Sequence, residues 1–330
     1  MATATQRAPV PAHEITFEPR ALPKLRANHG QHLDHGSVGW MRASPCTLPM
    51  EELRKRYEED GYVWVKNLMP REEVYDMREH YFTQLASTGI LLPGTSARQG
   101  IFNHSQDPLS HQSIGATPEG AAYIKLLETA HTTPEYRQFL EHPALRDFVR
   151  TFMQWEHEVL VPRAMLRHNV PHSLSTGIHY DQIFLRAGEA DFLTAWLPIG
   201  DCAATGGGLM YLENGSRLGE EIEKDFTKGA EGMTREQRIN AFNVHMGADG
   251  TLSQDAAEFL SEYHADGFRW LVADFEAGDV VFHNPYMIHG ALKNEDDQGR
   301  IRLASDLRFY ESDEVMDQRW NKVWTHGDKL

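Results

Sequence analysis

The feature that most constrains this chain is a change of period near Glu156. Upstream, apolar residues recur at helical spacing; downstream, the sequence breaks into short β-prone runs separated by Gly, Pro and Asn. The runs are His157 to Met165, Ile183 to Arg186, Phe192 to Leu197, Gly208 to Leu212, Val280 to His283 and Ile301 to Phe309. Many short strands joined by turn chemistry predict a sandwich or small barrel.

The upstream part reads as helices. Pro49 to Asp60 is predicted helical and Gly61 ends it, before the strand-like Tyr62-Val63-Trp64-Val65. Pro70 opens a second helix, with Glu72, Glu73 and Asp76 in its early turns, that runs to about Leu85. Pro134 to Met153 places Phe139, Leu145, Phe148, Val149 and Phe152 close to one face. The expected division is an irregular arm over 1–49, a helical region packing on the core over 50–155, a β core over 156–312 and a tail over 313–330. Within the core, 217–274 is expected as a lid-like insertion, with Glu220 to Lys224 and Thr234 to Phe242 as its helical pieces.

Composition narrows the class. With 41% hydrophobic and 24% charged residues over 330 positions, disorder, collagen and coiled coil are excluded for the bulk of the chain. Lys and Arg number 32 against 48 Asp and Glu, and the resulting −16 would repel a polyphosphate, so nucleic acid is not an expected partner. No 18 consecutive apolar residues occur, so no membrane span is expected. Two cysteines, Cys46 and Cys202, suit a reducing compartment, and the cytoplasm is the expected one. The ending Asp328-Lys329-Leu330 is one residue type from a peroxisomal signal, with Asp a poor substitute for Ser.

The chemistry lies among the 18 histidines. His-x-Asp followed far downstream by His is the sequence form of a facial triad, because residues i and i+2 of an extended segment point the same way. Four such triplets occur, at His32, His179, His264 and His326, where roughly one would be expected by chance. His32 sits in the irregular arm, His326 has no later His, and the interval after His264 is too short to hold the strands of a barrel. Only His179-Tyr180-Asp181 leads into a strand-like run and has a long return to Gly278 through Gly290. Two histidines compete for the distal place. His289 is preferred because Gly290 lets the backbone turn past a metal, whereas His283 reads as a half-buried strand residue. Beyond them Arg302 would face inward on a strand, where a buried cation needs an anion such as a dicarboxylate co-substrate; Arg300, of the same parity, is its rival.

These residues, together with Asp60-Gly61-Tyr62-Val63, Trp196, Gly206-Gly207-Gly208-Leu209, Glu213-Asn214-Gly215-Ser216 and Gly278-Asp279, resemble the phytanoyl-CoA dioxygenase family of iron(II)- and 2-oxoglutarate-dependent oxygenases over about Glu52 to Tyr310. The resemblance implies a mainly β fold with flanking helices and a double-stranded β-helix (jelly-roll, cupin-like) core. It implies His179, Asp181 and His289 as iron ligands, Arg302 on the distal carboxylate of 2-oxoglutarate, and Trp196 lining that pocket. The chain departs from the family at Asn214-Gly215-Ser216-Arg217, where Pro-Gly-Ser-His is usual, and in having two arginines flanking Ile301. The stretches His179 to Arg186 and Leu193 to Trp196 look most like the fungal branch that oxidises polyketide-derived aromatic metabolites.

The implied reaction consumes dioxygen, decarboxylates 2-oxoglutarate to succinate, and hydroxylates or oxidatively rearranges a small organic substrate. Asp181 argues against the halogenase variant, which has a small residue there. Arg186 and Arg167 are candidate anchors for an acidic group of the substrate. The same chemistry on an acyl-CoA or fatty-acid-like substrate, a zinc hydrolase and a non-catalytic jelly-roll binding protein are the competing readings.

Overall fold

The computed structural model describes residues 21–113, 120–229, 232, 234, 251–263 and 267–328. The segment expected as an irregular arm supplies two short strands, β1 (Val38–Trp40) and β2 (Ala43–Pro45). α1 (Met50–Asp60) ends at Gly61, which adopts φ 75° and returns its N–H to the Tyr57 carbonyl. A Cβ at Gly61 would stand 2.6 Å from Ser216 Cβ, so both the turn and the packing require glycine. β3 (Tyr62–Lys66) and α2 (Arg71–Leu85) follow as the sequence predicts, with Pro70 ahead of the helix and Glu72 and Glu73 in its first turn.

α3 (Ala121–Ala130) has no counterpart in the sequence reading. The predicted helix over Pro134 to Met153 is two helices, α4 (Pro134–Leu140) and α5 (Pro143–Met153). Pro143 has no N–H to continue α4, and His142 caps the new helix by accepting from the Ala144 N–H at 3.1 Å. The run His157 to Met165 is likewise divided, into β4 (Glu158–Leu160) and β5 (Met165–Asn169), on either side of Pro162. The strand expected at Ile183 to Arg186 is instead a single 3-10 turn over Asp181–Ile183. Its apolar residues bury in different directions, Ile183 beneath the smaller sheet and Leu185 in the main core, which a turn satisfies and strand alternation does not.

β6 (Phe192–Pro198) and β7 (Leu209–Leu212) lead to α6 (Gly215–Gly229). After α7 (Ala256–Glu262) comes β8 (Trp270–Val272), which the sequence reading had placed within the insertion. It is a core strand, pairing with Tyr211 and Leu212 of β7 and in parallel with β1. The helical piece expected at Thr234 to Phe242 lies outside the described residues apart from Thr234. β9 (Val280–His283), β10 (His289–Ala291) and β11 (Arg302–Glu311) complete the sheets.

The strands form a double-stranded β-helix. A smaller sheet runs β1-β8-β7-β10, and a main sheet runs β2-β3-β9-β6-β11-β4 with β5 also on β11. Side-chain parity shows which residues lie between the sheets. Leu209 and Tyr211 of β7 face Tyr62, Trp64, Trp196, Val281 and Ala304 in the interior, while Met210 and Leu212 pack outward under α7 with Phe259 and Trp270. On the main sheet Val63, Val65, Ala195, Leu197, Val280 and Phe282 face outward onto α1, α2 and α5. Even-numbered residues of β11 therefore look into the barrel, which places Arg302, Asp306 and Arg308 inside.

Candidate metal centre

His179 and His289 face each other across the edge of the smaller sheet, each donating its N–H to the other's carbonyl at 2.9 Å. This antiparallel register puts both imidazoles on one side, with ring centroids 4.3 Å apart. Two residues on, Asp181 reaches the same place, and one ligand atom from each of the three lies within 4.8 Å of the others. A Cβ on Gly290 would lie 3.3 Å from Ile178 Cα, so a bare residue eases this close approach of backbones.

Electrostatics prepares the three as ligands. His179 Nδ1 donates to the Gly177 carbonyl and His289 Nδ1 to that of Met287, each at 2.8 Å, which leaves both Nε2 lone pairs free for a cation. Burial, reinforced by His179 and His283, holds His289 well below the ordinary histidine range, so it is neutral. Burial alone would raise the Asp181 carboxyl; Arg308, His179 and His283 outweigh it and hold the group well below the usual carboxylate range. Two imidazoles that present Nε2 and one ionised carboxylate fit a divalent iron held on one face.

Three guanidinium groups share the interior. Arg308 donates through Nη2 to Asp181 Oδ1 at 2.9 Å and through Nε to Oδ2 at 3.3 Å. Arg167, on β5 opposite Ala304, lies 3.4 Å from Asp306 and donates to Thr176 Oγ1 at 3.0 Å. Arg302 is buried, donates through Nε to the Gly207 carbonyl at 3.0 Å, and has no carboxylate partner among the described residues. Its rival Arg300 precedes β11 and grips Asp296 Oδ2 at 2.9 and 2.7 Å, so the expectation that both arginines share a face does not hold. Trp196 lies in the inter-sheet core, edge-on to Phe275 at 4.7 Å.

Arg186 stands apart from the interior. It holds Glu223 of α6 through Nη2 at 2.6 Å and Nε at 2.9 Å, and Tyr180, between the two motif ligands, donates to the same carboxylate at 2.7 Å. The candidate substrate cation is thus a tie between α6 and the metal motif. Of the rejected triplets, Asp328 pairs with the buried Arg163, His32 lies 3.9 Å from Glu295, and His264 to Asp266 fall outside the described residues.

Sequence reasoning missed Arg308 and Thr194, and it weighed His283 only as a rival ligand. All three touch Asp181, with Thr194 Oγ1 donating to Oδ2 at 2.5 Å and His283 Nε2 lying 3.4 Å from the same oxygen. Arg308 carried a usable signal, being six positions beyond Arg302 and therefore on the same strand face.

A double-stranded β-helix presenting two imidazoles and a carboxylate, with an unmatched buried guanidinium on the same interior, defines the class of non-haem iron(II)- and 2-oxoglutarate-dependent oxygenases. The phytanoyl-CoA dioxygenase (PhyH) family matches residues 57–302, and the chain belongs to that family. It is similar to the 1-deoxypentalenic acid 11-beta-hydroxylase of Streptomyces arenae, with 23% identity over 278 residues, covering 81% of this chain and 83% of the relative. Among solved structures it resembles the α-ketoglutarate-dependent carbocyclase SnoK from nogalamycin biosynthesis, with TM-score 0.51, 21% identity and coverage of 82% and 87%. The iron-bound EctD of S. alaskensis gives TM-score 0.49 at 15% identity, with coverage of 88% and 85%.

Proposed function

We propose that His179, Asp181 and His289 hold iron(II), that Arg302 takes the distal carboxylate of 2-oxoglutarate, and that the enzyme hydroxylates or oxidatively rearranges a small secondary metabolite, with a polyketide-derived aromatic as the favoured class. The observation that carries the reading is Arg302. Among the interior guanidinium groups it alone has no carboxylate within reach among the described residues, yet it is only 7% exposed. A buried cation in that state calls for an anionic ligand.

The bound metal, with 2-oxoglutarate and dioxygen, supplies the oxidant, and succinate and carbon dioxide are released. The protein's own residues do the rest. His179 and His289 present Nε2 in a fixed tautomer. Arg302 orients the co-substrate by its planar fork. Trp196 and Phe275 line the interior with apolar surface that excludes water. Arg167, although 3.4 Å from Asp306, is the remaining interior cation toward which an acidic group of the substrate would turn, whereas Arg186 lies outside the interior on Glu223. The likeness to a hydroxylase of 1-deoxypentalenic acid supports a small-molecule substrate from secondary metabolism. Both cysteines are free, which suits the cytoplasm, and no helix among the described residues is long and apolar enough to cross a membrane.

Anaerobic titration of the protein with iron(II) and 2-oxoglutarate tests the reading. A visible metal-to-ligand charge-transfer band is expected from the wild type and not from Asp181→Ala. Admission of oxygen is expected to yield succinate; no band and no succinate would return the protein to the hydrolase or binding-protein readings.

A further inference from the structure

Asp181 is gripped by more donors than its charge requires. Thr194 of β6 stands in register opposite His283 of β9 on one side and Arg308 of β11 on the other. All three side chains converge on Asp181 from one row of the main sheet. Oδ2 accepts from Thr194 Oγ1 at 2.5 Å and lies 3.3 Å from Arg308 Nε and 3.4 Å from His283 Nε2. Oδ1 receives only Arg308 Nη2, at 2.9 Å, and is the oxygen that lies 3.7 Å from His179 Nε2. An ionised carboxylate can only accept, so the His283 Nε2 that faces Asp181 is the proton-bearing nitrogen, and Nδ1 is left to accept from the Tyr211 hydroxyl at 3.2 Å.

We propose that Arg308, Thr194 and His283 are positioning residues that saturate Asp181 Oδ2 and leave Oδ1 alone to bind the metal. The inference rests on the reading of Asp181 as an iron ligand. A carboxylate oxygen has about two lone-pair directions, so an oxygen with three donors around it has none left for a cation. A carboxylate confined to one metal bond occupies one coordination position. Held so, Asp181 would join the two histidines on the metal and leave room there for the keto-acid co-substrate and dioxygen. A carboxylate free to swing would close on the metal with both oxygens and compete with the co-substrate.

The test uses the full chain under anaerobic conditions, with cobalt(II) as the probe and its visible d–d spectrum as the readout, followed by 2-oxoglutarate titration of the loaded protein. Thr194→Val keeps shape and charge but removes one donor; Arg308→Met removes the fork, and Arg308→Lys keeps the charge without it. Cobalt affinity is expected to fall about 10- to 100-fold in Arg308→Met and about 10-fold in Thr194→Val, the usual range for groups that orient a metal ligand. Arg308→Lys should recover only part of the loss. In Thr194→Val the d–d spectrum should change and 2-oxoglutarate should bind more weakly although Arg302 is intact. Cobalt and 2-oxoglutarate affinities within threefold of wild type in Thr194→Val would overturn the proposal, and full recovery in Arg308→Lys would show that charge alone suffices and overturn it equally. If Arg308→Met does not fold, Thr194→Val decides the matter by itself. Failure of the wild type to bind cobalt at all would instead strike at the metal site, and the proposal would fall with it.

Discussion

Replacing Arg302 by Met should produce two effects of opposite sign. In the ligand-free protein the guanidinium is 7% exposed and donates to the Gly207 carbonyl. Burial accordingly pushes its pKa down from the ordinary arginine value. Removing a buried cation without a carboxylate partner is neutral or stabilising by about 1 kcal/mol, so the melting temperature of the apo protein should hold or rise by about 1–3 °C. Binding of 2-oxoglutarate should move the other way. Truncating one partner of a buried charged hydrogen-bonded pair costs about 2–5 kcal/mol, and about 3 kcal/mol corresponds to roughly 100-fold in Kd. Wild-type protein loaded with iron(II) at 100 times Kd should gain about 2.7 kcal/mol from 2-oxoglutarate, and Arg302→Met should lose nearly all of that gain. Anaerobic thermal shift with and without 2-oxoglutarate, and charge-transfer titration, measure both effects. Arg300→Met is the control, because Arg300 is engaged with Asp296 at the rim. Retention of 2-oxoglutarate affinity within threefold in Arg302→Met, or an equal loss in Arg300→Met, would refute the reasoning.

Three further outcomes are expected. His289→Ala should abolish iron(II) binding, whereas His283→Ala should keep it in weakened form, as an anaerobic titration will show. Glu223→Gln leaves Arg186 and Tyr180 without their carboxylate, so α6 should exchange its amide hydrogens faster, corresponding to about 2 kcal/mol of local stability, with cobalt affinity unchanged. Burial pushes His131 and His168 down to about 4, outweighing the Leu127 carbonyl on His131 and the His111 carbonyl on His168, each of which favours the protonated ring; the Leu166 N–H and the Tyr81 hydroxyl meet the other ring nitrogens. Between pH 6.5 and 4 the unfolded chain binds protons that the folded one refuses. Stability therefore falls as pH is lowered, by about 1.4 kcal/mol per pH unit for each histidine. Urea midpoints at pH 7 and pH 5.5 check this, and a flat profile would contradict it.

The elements legible in the sequence are those fixed by local chemistry. Gly61 closes α1 and β3 follows at once, because a left-handed residue and a β-branched run are both readable within a few positions. The His179-Tyr180-Asp181 spacing was legible for the same reason. Where burial runs in two directions the local signal misleads, as at Ile183 to Leu185, whose apolar residues mimic a strand and form a turn. β8 was hidden because three residues paired to β1 and β7 carry no pattern of their own.

The sequence by itself determined the class of fold, the motif that supplies two of the proposed ligands, and the choice of one His-x-Asp triplet among four. Only the tertiary structure decided what surrounds them. The antiparallel bridge of His179 to His289 sets the two rings together, and the register of β6 between β9 and β11 carries Thr194, His283 and Arg308 to one carboxylate. It also separates Arg302, inside the barrel, from Arg300, two positions away on Asp296. Pairing between strands a hundred residues apart is a non-local quantity. A shift of one residue in any of these registers would turn every one of those side chains to the opposite face.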